Sequence, residues 1–363
     1  MRFIPLFLWF YYYLGATAQH TYTLGDFYSH NAKLDSIVAH VYASLTDTQR
    51  IGQMIVTAAG EYGKTPAEIN KLIKHHYVGG ILLLKGEQSD FKKWVKNFDM
   101  KAASYSSVPL LYSADAEPSL IQYKIKGVPP FIKTSEIKND MMTDSVVMKI
   151  NTVLKGIGIK HNYAPVVDKN SNKEIIGNRS FGGDEESLIR LSKRFAHASQ
   201  QDGIIATAKH FPGHGNVRGD SHKELVYIDG PLNEVSHFKA LIDAGVLSVM
   251  VGHIAIKNNT RWATENGWPA TCSHKIVTDL LRKELGFNGI IITDAMNMKA
   301  LRSISRPSLK AVQAGCDMIL MPSGEKLLIG LILSESAKDK NFAAQIEASV
   351  KRIIRLKICA NIL

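Results

Sequence analysis

The chain has 363 residues, 45% hydrophobic and 21% charged, a composition ordinary for one large or two smaller globular domains. Its formal net charge is +11, yet no run of five basic residues and no basic–aromatic interleaving marks a nucleic-acid groove, so scattered surface lysines account for the charge. Three cysteines, Cys272, Cys316 and Cys359, are widely spaced and odd in number, and neither a disulfide framework nor a CxxC metal spacing can be read from them.

The first eighteen residues, "MRFIPLFLWFYYYLGATA", stand apart from the rest. They combine a basic Arg2, an apolar run from Phe3 to Leu14 and the small-x-small pattern Ala16-Thr17-Ala18. That is the layout of a cleavable export signal. The run is shorter than the roughly 20 apolar residues a membrane-spanning helix requires. The expectation is an exported protein, periplasmic or secreted, with no stable membrane insertion and a mature domain over residues 19–363.

Eight short apolar runs follow in chain order, at 51–58, 78–86, 108–115, 159–168, 203–210, 245–253, 289–296 and 315–323. Continuous hydrophobicity over such lengths suits strands buried on both faces of a parallel sheet. The segments between them read as helices. "TPAEINKLIKHHY" opens with Thr65 as N-cap, Pro66 at the first helical position and Glu68 completing a capping box, and Ile69, Leu72 and Ile73 then line one face. Ile346, Val350, Ile353 and Ile354 do the same near the end. Eight alternations, with no linker or composition break, predict an α/β fold: a single-domain (β/α)8 TIM barrel.

Asp115, Asp168, Lys209, His210, His253 and Asp294 all fall at the C-terminal ends of the predicted strands, the rim on which such barrels build active sites. The densest stretch is "AKHFPGHGNVRGDSHKEL", residues 208–225. His210, His214, Asp220 and His222 lack the spacings of common zinc motifs, and Lys209 adds a positive charge to the same site. Nor does the stretch match a P-loop or a GxGxxG dinucleotide loop. A mobile acid/base loop fits better. Asp220 and His222, one residue apart, can place a carboxylate on one imidazole nitrogen while the other nitrogen exchanges a proton near neutral pH. On this reading Gly213, Gly215 and Gly219 supply the loop's freedom to fold over substrate. Asp294, directly after four apolar residues in "GIIITDAM", is placed to attack an anomeric carbon and form a glycosyl ester.

These segments resemble a known family. "KHFPGHGNVRGDSH" (209–222), "APVVD" (164–168), "IIGNRSFG" (175–182) and "ELGFNGIIITDAM" (284–296) are similar to family 3 glycoside hydrolases, in particular their β-N-acetylhexosaminidase branch. The resemblance extends over nearly the whole mature chain, without the second α/β domain found in many β-glucosidases of the family. It implies Asp294 as nucleophile, His222 as general acid/base and Asp220 as its partner. It implies further that Lys209, His210 and Arg179 hold sugar hydroxyls and that Asp115 anchors the far side of the sugar. The implied substrate is a terminal β-linked N-acetylglucosamine in cell-wall fragments or chito-oligosaccharides, turned over with no metal or organic cofactor.

One stretch departs from the pattern. In "DAEPSLIQYKIKG" Pro118 and Ser119 occupy positions that are small or aromatic in relatives, and Tyr123 stands where a sugar-binding arginine is expected, with Lys124 and Lys126 nearby to supply charge. An ammonium does not reproduce a guanidinium fork. A β-glucosidase, a phosphorylase on the same barrel and a catalytically weak saccharide-binding protein therefore remain alternatives.

Overall fold

The computed structural model describes residues 22–169, 171, 173, 175–215, 217 and 224–363. The segment read as an export signal lies outside these residues, as do Asp220 and His222.

All eight apolar runs form strands: β1 Ile55–Ala59, β2 Gly80–Leu83, β3 Leu111–Ala114, β4 His161–Asn162, β5 Ile205–Phe211, β6 Ser248–Val251, β7 Ile290–Thr293 and β8 Ile319–Leu320. Each pairs in parallel with its sequence neighbour from β2 to β7, and β1 pairs with both β2 and β8. A parallel bridge between Ile292 and Met318 joins β7 to β8 and closes the barrel. The (β/α)8 architecture read from the sequence is the observed one. Strands such as β1, β5 and β7 are buried at every residue, which is why they read as continuous apolar runs rather than alternating ones.

One helix follows each strand: α1 Pro66–Lys74, α2 Gln88–Ser104, α3 Asp140–Ile157, α4 Glu185–Gln201, α5 Val235–Asp243, α6 Lys275–Glu284, α7 Pro307–Ala314 and α8 Glu325–Lys338. At α1 the Thr65 hydroxyl accepts from the Glu68 N–H while the Glu68 carboxylate accepts from the Thr65 N–H at 2.8 Å, the capping box expected from the sequence. Ile69 and Ile73 are buried, and Leu72 packs half-buried against the core. A final helix, α9 Lys340–Cys359, carries Ile346, Val350, Ile353 and Ile354 into the core and continues to the barrel's N-terminal face.

There the buried Lys357 donates to the Gln53 side-chain carbonyl at 2.6 Å and to the Gly79 and Pro109 backbone carbonyls at 2.8 and 2.7 Å, just ahead of β2 and β3. The buried Asp317, just ahead of β8, accepts from Arg282, Arg352 and Ser349. Arg352 and Ser349 lie on α9, so this face is closed by buried polar ties. The opposite rim, where the strands end, is left open for chemistry. Cys272, Cys316 and Cys359 are buried thiols, and no helix among the described residues is long and apolar enough to cross a membrane.

Candidate active site

A cavity of about 260 Å³ opens at the C-terminal rim. Asp115, Arg179, Lys209, His210 and Asp294 all line it, joined by Tyr62, Lys124, Tyr163, His214 and Met298. Every described residue that the sequence reading assigned to substrate or nucleophile therefore meets at one place. The elements explain why. Asp115 and Asp294 are the first residues past β3 and β7, and Lys209 and His210 sit near the end of β5. The Asp294 N–H donates to the Val251 carbonyl of β6 at 2.9 Å, which fixes its backbone against a rigid strand.

On one side of the cavity, four charged groups form a continuous network. The Lys209 ammonium lies 2.5 Å from Asp115 and 2.5 Å from Glu117. Glu117, fully buried, in turn accepts both Nε and Nη2 of Arg179, at 2.9 and 2.7 Å. Such a fork–fork pair sets the guanidinium plane. Arg179 Nη1 donates to the Ile175 carbonyl at 3.0 Å. Burial would raise the Asp115 carboxyl, but Lys209, Lys124 and Arg179 outweigh it and hold it well below the usual carboxylate range. Burial would likewise lower the Lys209 ammonium, and Asp115 and Glu117 raise it instead. Both groups are thus charged at any physiological pH, and this wall presents full charges to the cavity.

A second carboxylate organises the other wall. Asp168, fully buried, accepts the His214 N–H at 2.8 Å and the His210 N–H at 3.1 Å, and its Oδ2 lies 2.7 Å from His210 Nδ1. A carboxylate there makes Nδ1 the donor, which leaves Nε2 of a neutral His210 as the acceptor. Burial alone would raise the Asp168 carboxyl, and the two histidines depress it. The His210 and His214 rings meet edge to face at 5.9 Å, and burial lowers the His214 pKa despite the opposing pull of Asp168.

His253 plays a supporting part rather than a lining one. Its Nε2 donates to the Ala295 carbonyl at 3.0 Å and its Nδ1 accepts from the Thr271 hydroxyl at 2.9 Å, so it holds the chain next to Asp294. Among the described residues no group of three or more His, Cys, Asp or Glu side chains converges as a metal site.

Residues 46–356 match the glycosyl hydrolase family 3 N terminal domain. The chain belongs to glycosyl hydrolase family 3. It is 30% identical over 305 residues to a beta-hexosaminidase of Nitrosomonas eutropha, a match covering 76% of this chain and 84% of that one. Among solved structures it resembles a family 3 beta-N-acetylglucosaminidase of Paenibacillus, with 30% identity and a TM-score of 0.79. That match covers 88% of this chain and 63% of the Paenibacillus protein. A beta-N-acetylhexosaminidase of Beutenbergia cavernae shares the fold at 24% identity and a TM-score of 0.76, over 86% of this chain and 98% of its own. As a family 3 member the chain is a glycoside hydrolase.

Within this family 3 chain, three features went beyond the sequence reading. Glu117, given no role by the sequence, joins Lys209 to Arg179. In the departing stretch, Tyr123 is 63% exposed and does not line the cavity. Lys124 does line it, with Nζ 3.8 Å from Asp115, while Lys126 turns away to Glu61. Ser119 is an anchor: its buried hydroxyl donates to the Asn178 carbonyl at 2.7 Å and accepts the Thr134 N–H at 2.8 Å.

The glycines of the loop also need another account. A Cβ on Gly213 would lie 2.5 Å from the Glu234 Cβ, and one on Gly215 would lie 2.3 Å from the Lys169 carbonyl oxygen. Close packing requires glycine at both positions, and at Gly213 a φ of +129° requires it as well. Gly219 lies outside the described residues.

Proposed function

We propose that the chain is an exported, retaining β-N-acetylglucosaminidase that removes terminal β-linked N-acetylhexosamine from cell-wall fragments or chito-oligosaccharides. The observation that carries this reading is the convergence of Asp294 with the Asp115–Lys209–Glu117–Arg179 network and His210 around one sugar-sized cavity. The similarity to proteins named for hexosaminidase activity supports the sugar, and the layout of residues 1–18 supports export.

In the first step a carboxylate oxygen of Asp294 attacks C1 of the sugar as the bond from C1 to the leaving oxygen breaks. His222 in its cationic form gives its proton to that oxygen, and Asp220 orients the imidazole. In the second step His222 takes a proton from water, the resulting hydroxide attacks C1, and Asp294 is released, with net retention. Asp115, Lys209, Arg179 and His210 hold the sugar hydroxyls, the first two as full charges that strengthen hydrogen bonds to substrate. Neither step needs a cofactor.

The test is release of nitrophenol from 4-nitrophenyl β-N-acetylglucosaminide by the wild-type chain and by Asp294→Ala and His222→Ala. The expectation is that Asp294→Ala loses roughly a thousandfold or more in kcat, as removal of a covalent nucleophile does. For His222→Ala, kcat/KM should fall far less with the nitrophenyl group than with an unactivated sugar. Equal loss with both would remove His222 from the acid role. Assays with and without phosphate separate hydrolysis from phosphorolysis.

A further inference from the structure

We propose that Glu234 is a positioning residue for the His210–Gly215 turn and through it for the active site, an inference that rests on the glycosidase reading above. Glu234 stands immediately before α5 and is 3% exposed. Its Oε2 accepts the Gly215 N–H at 3.0 Å. Its Oε1, also buried, meets no hydrogen-bond partner among the described residues. The contact is tight enough that side chains on Gly213 and Gly215 would run into Glu234 itself, with Cβ positions 2.5 Å from its Cβ and 2.7 Å from its Oε1 respectively.

The same turn is held from its other side by Asp168, which accepts the N–H groups of His210 and His214 and the His210 ring. Two buried carboxyls therefore grip one six-residue stretch, and that stretch carries His210 into the cavity and leads on to Asp220 and His222. Burial and the Asp168 charge both work against a second anion at Glu234. Among the described residues, the titratable groups facing Glu234 are Asp168 and Lys169, from the segment after β4, and Asp229, which lines the same surface pocket. The Lys169 ammonium is engaged by Glu185 at 2.7 Å. Burial, and then the Asp168 charge, push the Glu234 carboxyl up to about 8, while Asp168 stays ionised. Ionising Glu234 would set a second negative charge against Asp168 and loosen its hold on His210.

The experiment follows kcat/KM from pH 6 to pH 10 with 2,4-dinitrophenyl β-N-acetylglucosaminide, whose leaving group needs no proton, so that the titration of His222 drops out of the profile. The wild type should show an alkaline limb bending near pH 8. Glu234→Ala should lose about tenfold at neutral pH, and Glu234→Gln, which keeps an acceptor for the Gly215 N–H and cannot ionise, should recover most of that loss and move the limb up by a pH unit or more. A limb unchanged in Glu234→Gln overturns the proposal, as does a Glu234→Ala variant with the wild-type profile. If Glu234→Ala fails to fold by circular dichroism, the Gln profile decides alone. Wild-type protein without turnover, or Asp294→Ala with full turnover, would instead overturn the glycosidase reading.

Discussion

Lys124 sits one position along from where the family pattern places an arginine, and the local backbone explains the shift. Ile121–Lys124 is a single helical turn, followed by Ile125–Lys126 pairing with Gly86–Glu87. Successive residues of such a turn point about 100° apart. Tyr123 therefore faces solvent while Lys124 reaches the cavity beside Asp115. The sequence pattern could identify the missing arginine but not which neighbour reaches the cavity in its place. If Lys124 supplies the charged hydrogen bond to substrate, Lys124→Ala should cost about 2 kcal/mol, roughly 30-fold in kcat/KM. Steady-state kinetics should place most of that loss in KM, since the contact serves ground state and transition state alike. An unchanged KM would show that Lys124 only neutralises Asp115. The contacts of Glu117 and Asp168 were illegible for a related reason: their partners lie between about 40 and 90 residues away in the chain, and only the closed barrel brings them together.

At the scale of elements, the strands were readable because burial on both faces leaves an unbroken apolar signature, and α1 because its cap is local chemistry. The loop root was not readable. A glycine required by a neighbour's close approach and a glycine that gives mobility are the same letter, and only the fold brings Glu234 and Lys169 against Gly213 and Gly215. The raised Glu234 pKa has a consequence for stability with a definite sign. Below about pH 4.5 the carboxyl is protonated in folded and unfolded chains alike. Between there and about 8 the unfolded chain has released the proton and the folded one keeps it, so the contribution of Glu234 to stability falls as pH rises through that window. Denaturant titrations at pH 5 and pH 8 should show a smaller loss of stability on going to pH 8 for Glu234→Gln than for the wild type. Identical pH dependence in the two proteins would mean that Glu234 is ionised in the native state.

The whole molecule separates its two tasks between the faces of the barrel. The N-terminal face is closed by Lys357 and by the Asp317–Arg282–Arg352 cluster, and the C-terminal face holds the cavity. Lys357→Met would leave the acceptors of Gln53, Gly79 and Pro109 buried without their donor, at a cost of about 3 kcal/mol. The expected result is a melting temperature several degrees lower with kcat/KM unchanged at temperatures where the variant stays folded. A loss of activity without loss of stability would contradict that division. The barrel itself was legible from eight runs, because a parallel sheet wrapped by helices leaves few other ways to bury them.

The central claim is a covalent glycosyl-enzyme on Asp294. The most direct measurement is intact-mass analysis of His222→Ala mixed with 2,4-dinitrophenyl β-N-acetylglucosaminide, followed by peptide mapping. With the first step spared and the second slowed, the account predicts a mass increase of one N-acetylhexosaminyl unit, located on the peptide carrying Asp294 and absent in an Asp294→Ala background. Turnover with no adduct, or an adduct on any other residue, would contradict it.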